Sequence, residues 1–251
     1  MILLYSSMWK LPLSKKIGID LGTTNTVVFL QGKGIVLNEP TVVAVNQATK
    51  KIEAIGLEAK AMLGKTPDSV IVYRPMQDGA IADYHVTLAM LRYFINKVLG
   101  KNTLFKPDVL VSVPAGISGT ERRAVIEATI KAGAKSAVIV KEPILAALGA
   151  GVPINEARGH MIIDIGGGTT DIAVIALSGI VTDQSIRVAG DDFTMDIVEY
   201  VKRQHNILIG ERTAEQVKIN VGSALQDLET PPDDFAVHGR DLLTGIPKQV
   251  T

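Results

Sequence analysis

Between Lys16 and Val45 the apolar residues come in short β-branched stretches interrupted by glycines, which predicts strands over Lys16–Leu30 and Gly34–Val45 with tight turns between them. The next stretch, Lys50–Arg74, is more polar. It mixes short helical and extended patterns and is punctuated by Pro67 and Pro75, as in a small accessory subdomain. Leu88, Leu91, Ile95, Val98 and Leu99 then fall at helical spacing over Val86–Leu99, and Gly100 stops that amphipathic helix. Asp108–Val113 and Ala137–Val140 are almost continuously apolar, the pattern of strands buried on both faces. Between them, Ser118-Gly-Thr-Glu121 reads as a capping box that opens a helix ending near Gly133. Glu142-Pro143 opens a small-residue helix over Ile144–Ala150, since proline suits a first helical turn.

A hairpin beginning at Met161 follows, then helices over Asp192–His205 and Thr213–Leu225. The remaining Pro- and Asp-containing segment reaches Thr251 with no closing strand–helix unit. Alternation of helices with buried strands predicts an α/β fold with helix-covered sheets.

One turn is written twice. Ile19-Asp20-Leu21-Gly22-Thr23-Thr24-Asn25-Thr26 and Ile163-Asp164-Ile165-Gly166-Gly167-Gly168-Thr169-Thr170-Asp171 both join apolar stretches through Asp-x-Gly and small hydroxylated residues. A hairpin tip without bulky side chains lets backbone N–H groups approach phosphate oxygens, threonine and asparagine add donors, and each aspartate can hold hydrated Mg²⁺. Either copy alone also reads as an ordinary Gly/Thr-rich hairpin. The aspartates lie 144 positions apart, about one domain length, which predicts a duplicated fold clamping a nucleoside triphosphate between the copies.

Composition narrows the setting. With 251 residues, 47% hydrophobic and 21% charged, the chain can bury one large core or two smaller ones. The 26 basic and 26 acidic residues balance without long runs of like charge, so nothing points to a nucleic-acid partner. Cysteine is absent, which rules out disulfides and cysteine catalysis and fits a reducing cytoplasm. No stretch approaches the roughly 20 apolar residues of a membrane span. The apolar start Met1–Leu13 lacks the cationic segment and cleavage site of a signal peptide; it reads as a short membrane-surface anchor or as an unstructured start.

The two hairpins, the Glu142-Pro143 helix and the Gly190-Asp191-Asp192 turn resemble the actin, sugar-kinase and heat-shock-chaperone ATPase superfamily. Five longer stretches, Ile17–Asn25, Gly32–Pro40, Arg74–Asp83, Met90–Ile95 and Gly210–Lys218, resemble the MreB family of bacterial actins, and the likeness runs from about Lys16 to Thr251. The resemblance implies an actin-like duplicated ATPase fold with two lobes, a nucleotide cleft between them and an incomplete second lobe. It implies a first-lobe core over 16–45 and 86–158, an accessory subdomain over 46–85, the start of the second-lobe core over 159–192 and its outer subdomain over 193–251. ATP and Mg²⁺ are the implied cofactors. The implied partners are further copies in filaments, the inner membrane surface, and wall-synthesis and shape-complex proteins, with the protein cytoplasmic and peripheral to the membrane's inner face.

Position by position, the resemblance implies that Asp20 and Asp164 lie near the metal. Gly22, Thr23, Thr24 and Asn25 would surround the β- and γ-phosphates with Gly166, Gly167, Gly168 and Thr169 opposite. Glu142 takes the place that holds or polarises the attacking water, with Asp164 beside it in catalysis. An acidic residue before Pro143 also suits a helix N-terminus. Gly190 and Asp191 belong to a turn closing over the nucleotide, and Glu215 with Lys218 to a helix contacting the adenosine. Leu104-Phe105, just before Lys106-Pro107, matches a loop that enters the inner leaflet.

Lys141 departs from the family pattern, which usually has a second acidic residue there, and the glycine-rich turn against the purine is missing. A weak Mg²⁺-dependent ATPase is expected if the chain folds; a non-polymerising relative and a small-molecule kinase are the alternatives. Other motifs fail. Gly64-Lys65-Thr66 has Ala59 where a P-loop needs glycine, Asp171 breaks a G-x-G-x-x-G reading, and the four histidines lack ligand spacing.

Overall fold

The computed structural model describes residues 14–100, 105–225, 230 and 232–250. In chain order the strands and helices are β1 (Lys16–Leu21), β2 (Asn25–Leu30), β3 (Gly34–Pro40), β4 (Val43–Asn46), β5 (Ile52–Ile55), α1 (Leu57–Met62), β6 (Val70–Tyr73), β7 (Met76–Gln77), β8 (Ala80–Ile81), α2 (Tyr84–Leu99), β9 (Asp108–Val113), α3 (Gly119–Ala132), β10 (Ser136–Lys141) and α4 (Glu142–Gly149). They continue as β11 (His160–Ile165), β12 (Thr170–Ala176), β13 (Gly179–Ile186), α5 (Gly190–His205), β14 (Ile207–Leu208), α6 (Glu211–Val221), β15 (Val237–Asp241) and β16 (Pro247–Val250). The chain divides into two compact units, 1–187 and 188–251.

The first unit is built on a sheet ordered β10-β9-β1-β2-β3, in which β9 and β10 run parallel to β1 while β2 and β3 run antiparallel. Alternation on β1 sends Ile17, Ile19 and Leu21 to one face, where they meet Met90, Leu91 and Phe94 of α2 and Val125 and Ala128 of α3. Burying a side chain such as Phe94 contributes roughly 2–3 kcal/mol. Both helices carry their own stop and start signals. The Asp83 carboxylate accepts from Val86 N at 3.0 Å at the start of α2, and the Ser118–Glu121 capping box is formed at the start of α3.

The opposite face of this sheet departs from the sequence reading. Leu110 of β9 is only half-buried and lines, with Gly18, Val27, Phe29 and Leu145, an apolar groove of about 510 Å³. All of β10 is likewise only partly buried. A continuous apolar run records which side chains tolerate burial, and the layer that covers them is a tertiary property.

The accessory region forms a small sheet ordered β5-β4-β6, packed through Ala44, Ala54 and Ala59. Its anchor to α2 is polar: Glu39, at the end of β3, receives Lys97 Nζ at 2.5 Å and Leu57 N at 3.3 Å. A third sheet, β11-β12-β13, packs against α4 through Ala147, Ile154, Ala173 and Ile175.

In the second unit α5 and α6 pack with a sheet ordered β14-β15-β16 around Val198, Val201, Ile207, Ala214 and Val237. The segment beyond Leu225 therefore does contribute strands, but they pair antiparallel as a hairpin. Gly245, at φ +72°, and Asp241 hold its turn, the carboxylate accepting from Leu243 N and Thr244 N at 2.9 Å each.

Candidate functional site

The first glycine turn closes the β1–β2 hairpin, whose register places Asp20 opposite Val27 on β2 and Ser112 on β9. Ser112 Oγ donates to Asp20 Oδ1 at 2.6 Å, so the neighbouring strand orients the carboxylate. Gly22 is required by space, because a Cβ there would stand 2.7 Å from the Asn25 carbonyl oxygen. Thr41 holds the turn from behind: its Oγ1 donates to the Gly22 carbonyl at 2.7 Å and lies 2.9 Å from Thr26 Oγ1, and its N–H donates to Thr24 O at 2.9 Å. Thr23 is buried, whereas Asn25 is exposed.

The second turn joins β11 to β12 and is closed by Gly166 N donating to Thr169 O at 2.9 Å. Its tip meets the first turn. A Cβ on Gly168 would lie 2.9 Å from Thr23 Oγ1 and 3.1 Å from Thr23 Cγ2. The structure thus brings Gly168 against Thr23, two residues that the duplicated motif places opposite each other.

A third element, absent from the sequence reading, completes this meeting point. Asp78 (φ +49°) and Gly79 (φ +71°) form a two-residue turn between β7 and β8. Gly79 N donates to Thr23 Oγ1 at 3.1 Å, and a Cβ on Gly79 would press on Pro114 and on Thr169 Cγ2. Asp-Gly between apolar residues is a strong hairpin signal in any sequence. Its short flanking strands conceal it, since two residues on each side show no alternation.

Behind the tips, carboxylates converge. Asp164 and Asp171 are directly opposed on β11 and β12, an arrangement that puts like charges side by side. Asp171 is buried and accepts from Ala115 N at 2.8 Å, tying the end of β9 to the second hairpin. Glu142 is the first residue of α4, directly after β10. Burial, reinforced by the charges of Asp20, Asp171 and Asp164, pushes its carboxyl up to about 8. Asp164 is raised as well, by burial first and then by Asp171 and Asp20. A helix N-terminus would favour the ionised form of Glu142, so burial and the neighbouring carboxylates outweigh it.

Such a concentration of negative charge suits a cation. Among the described residues no group of three or more His, Asp or Glu side chains is placed to chelate a metal directly. Asp20 and Asp164 fit instead a hydrated Mg²⁺, an ion that keeps several waters and binds through one or two carboxylates plus phosphate oxygens.

In the second unit, Gly190 and Asp191 open α5, where Asp192 Oδ2 accepts from Ala189 N at 2.8 Å. Lys218 Nζ of α6 donates to Gly190 O at 2.7 Å and Thr194 Oγ1 at 2.9 Å and pairs with Glu215 Oε2 at 2.6 Å. Gly190, Glu215 and Lys218, all named from the sequence, are therefore one hydrogen-bonded group beside Asp191.

Of the residues expected from the sequence to meet the membrane, Phe105 is exposed, while Leu104 and Met1–Leu13 lie outside the described residues. Among the described residues no helix is long and apolar enough to cross a membrane.

A family model described as MreB/Mbl protein matches residues 14–251. The cell shape-determining protein Mbl of Bacillus subtilis is 47% identical over 238 residues, covering 95% of this chain and 71% of the relative. The cell shape-determining protein MreB of Escherichia coli K12 is 47% identical over 244 residues, covering 95% of this chain and 70% of the relative. Among solved structures, MreB 5 of Spiroplasma citri bound to AMPPNP aligns with a TM-score of 0.87 at 38% identity, over 94% of this chain and 71% of that one. The MamK double helical filament shares the fold, with a TM-score of 0.75 at 22% identity over 94% of this chain and 72% of that one.

Proposed function

Since the chain belongs to the MreB/Mbl family and has its actin-like fold, we propose that it is a nucleotide-binding cytoskeletal protomer that assembles into filaments and helps determine cell shape. The observation that carries this reading is the approach of the two glycine turns, Gly168 against Thr23, in front of Asp20, Asp164 and Glu142. The proposed ligand is ATP with Mg²⁺. It is supported by the chemistry of the two turns and by the AMPPNP-bound relative.

In this reading the phosphates lie at the two tips. Glycines 22, 166, 167 and 168 put no side chain in the way of anionic oxygens, although the Gly166 N–H is engaged by Thr169 O, and Thr24, Asn25 and Thr169 add side-chain donors. Thr23 already accepts from Gly79 N, so its own hydroxyl proton is left to donate to a phosphate. Asp20 and Asp164 would hold Mg²⁺, which would supply charge neutralisation on the phosphates. Glu142, ionised once a cation offsets the neighbouring carboxylates that hold its carboxyl up, orients the attacking water and accepts its proton. Gly190, Asp191, Glu215 and Lys218 are proposed as further nucleotide-binding residues, with Lys218 holding Glu215. Phe105, with Leu104, is proposed to contact the inner membrane surface, and repetition along a filament multiplies such weak contacts. Wall-synthesis and shape-complex proteins are the proposed partners.

Electron microscopy of the purified chain on an anionic lipid monolayer, with and without Mg·ATP, tests the reading. Filaments that require both lipid and nucleotide are expected. A folded chain that binds AMPPNP yet never polymerises favours the non-polymerising relative.

A further inference from the structure

Lys141 stands immediately before Glu142 and carries an ammonium on a long side chain beside a group of carboxylates. Backbone pairing fixes where its side chain starts: Lys141 lies opposite Val113 at the end of β10 and is the residue preceding the first turn of α4. Its ammonium goes elsewhere. Lys141 Nζ lies 3.2 and 3.3 Å from the two carboxylate oxygens of Asp183. Asp183 sits on β13 opposite Ala173, so its position is set by the second hairpin sheet. The pair joins the two sheets that carry Asp20 and Asp164.

Stability does not explain this pair, because both side chains are partly exposed, 38% for Lys141 and 25% for Asp183, and such pairs add little. Electrostatics gives it a consequence. Asp20, Asp164, Asp171 and Glu142 together attract any nearby cation, and Lys141, one residue from Glu142, carries one on a long side chain. An ammonium among those carboxylates would occupy the place of a divalent ion.

We propose that Asp183 is a positioning residue that holds the Lys141 ammonium outside the carboxylate cluster, leaving the cluster to the divalent cation that arrives with the nucleotide. The proposal rests on reading Asp20, Asp164 and Glu142 as the phosphate and metal site. It separates two roles that a simple strap would merge. If the pair only braces α4 against β13, then losing either partner has the same effect. If Asp183 restrains a competing cation, losing Asp183 is harmful while Lys141 remains and harmless once Lys141 is gone.

The experiment is Mn²⁺ binding followed by electron paramagnetic resonance in the full chain with AMPPNP, for the wild type, Asp183→Asn, Lys141→Gln and the double variant. Asp183→Asn is expected to raise the Mn²⁺ concentration for half-saturation by about tenfold, the order expected of a competing charge in a partly buried site. Lys141→Gln and the double variant should bind at least as tightly as wild type, and the recovery in the double variant shows that Asp183→Asn does not act by unfolding. An unchanged Asp183→Asn variant, or a double variant as weak as Asp183→Asn, overturns the proposal. A wild type with no nucleotide-dependent Mn²⁺ signal overturns the site reading and the proposal with it.

Discussion

Gly168 and Thr23 meet at the tips of two hairpins that are far apart in sequence, with room for a hydrogen and no room for a methyl group: a Cβ on Gly168 would lie 2.9 Å from Thr23 Oγ1 and 3.2 Å from Asp78 N. Phosphate binding at these tips needs both the approach and the bare backbone. Gly168→Ala is therefore expected to push the turns apart. Affinity for a fluorescent ATP analogue should fall at least about tenfold, with a stability loss of about 1–3 kcal/mol from overpacking. Anisotropy titration and thermal unfolding measure the two effects, and unchanged affinity would contradict phosphate placement at the tips.

Glu142→Ala should reduce ATP turnover by roughly 10²–10⁴-fold, the usual contribution of a general base. AMPPNP binding measured in parallel should be retained or improved, because a carboxylate is removed from an anion site. Turnover equal to wild type removes Glu142 from catalysis.

The same residue gives the apoprotein a distinctive pH dependence. The Glu142 carboxyl is held at about 8 against an ordinary 4.5, so between those values the unfolded chain releases a proton that the folded chain keeps. Stability consequently falls as pH rises through that window, by on the order of 4 kcal/mol in the absence of divalent ions. Asp164 is shifted in the same direction and adds to the slope from its lower starting point. Thermal unfolding in EDTA should show this fall, Glu142→Gln should flatten it, and Mg·AMPPNP should offset it. A flat wild-type profile would mean that Glu142 is neither buried from water nor crowded by the other carboxylates.

The accessory sheet depends on Glu39. A Cβ on Gly56, where φ is +68°, would collide with the Glu39 carboxylate that receives Lys97 Nζ, an ammonium whose pKa is raised mainly by that bond. Gly56→Ala is expected to cost about 2–4 kcal/mol from combined strain and overpacking. Glu39→Ala leaves Leu57 N without its acceptor and should be destabilising too. Chemical denaturation of both variants tests this, and loss below about 0.5 kcal/mol, the range of an ordinary surface change, would mean the anchor is dispensable.

Elements with a local cause are legible in the amino-acid order. The spacing of Leu91 and Ile95 marks one helix, Ser118 and Glu121 start another through bonds three residues apart, and Asp20 and Asp164 are identified by the turns that follow them. These depend on neighbours in the chain, so sequence alone determined the α/β class, the duplicated turn and the candidate phosphate and metal residues. Tertiary structure decided the rest. That Gly79 wedges between Thr23 and Thr169, that Asp171 holds Ala115 and crowds Asp164, that Leu110 faces a groove and that Lys141 turns to Asp183 all depend on pairing register and on which sheets meet. Contact energies and burial act between residues that folding brings together, and no local pattern in the chain encodes which distant side chain will be the neighbour.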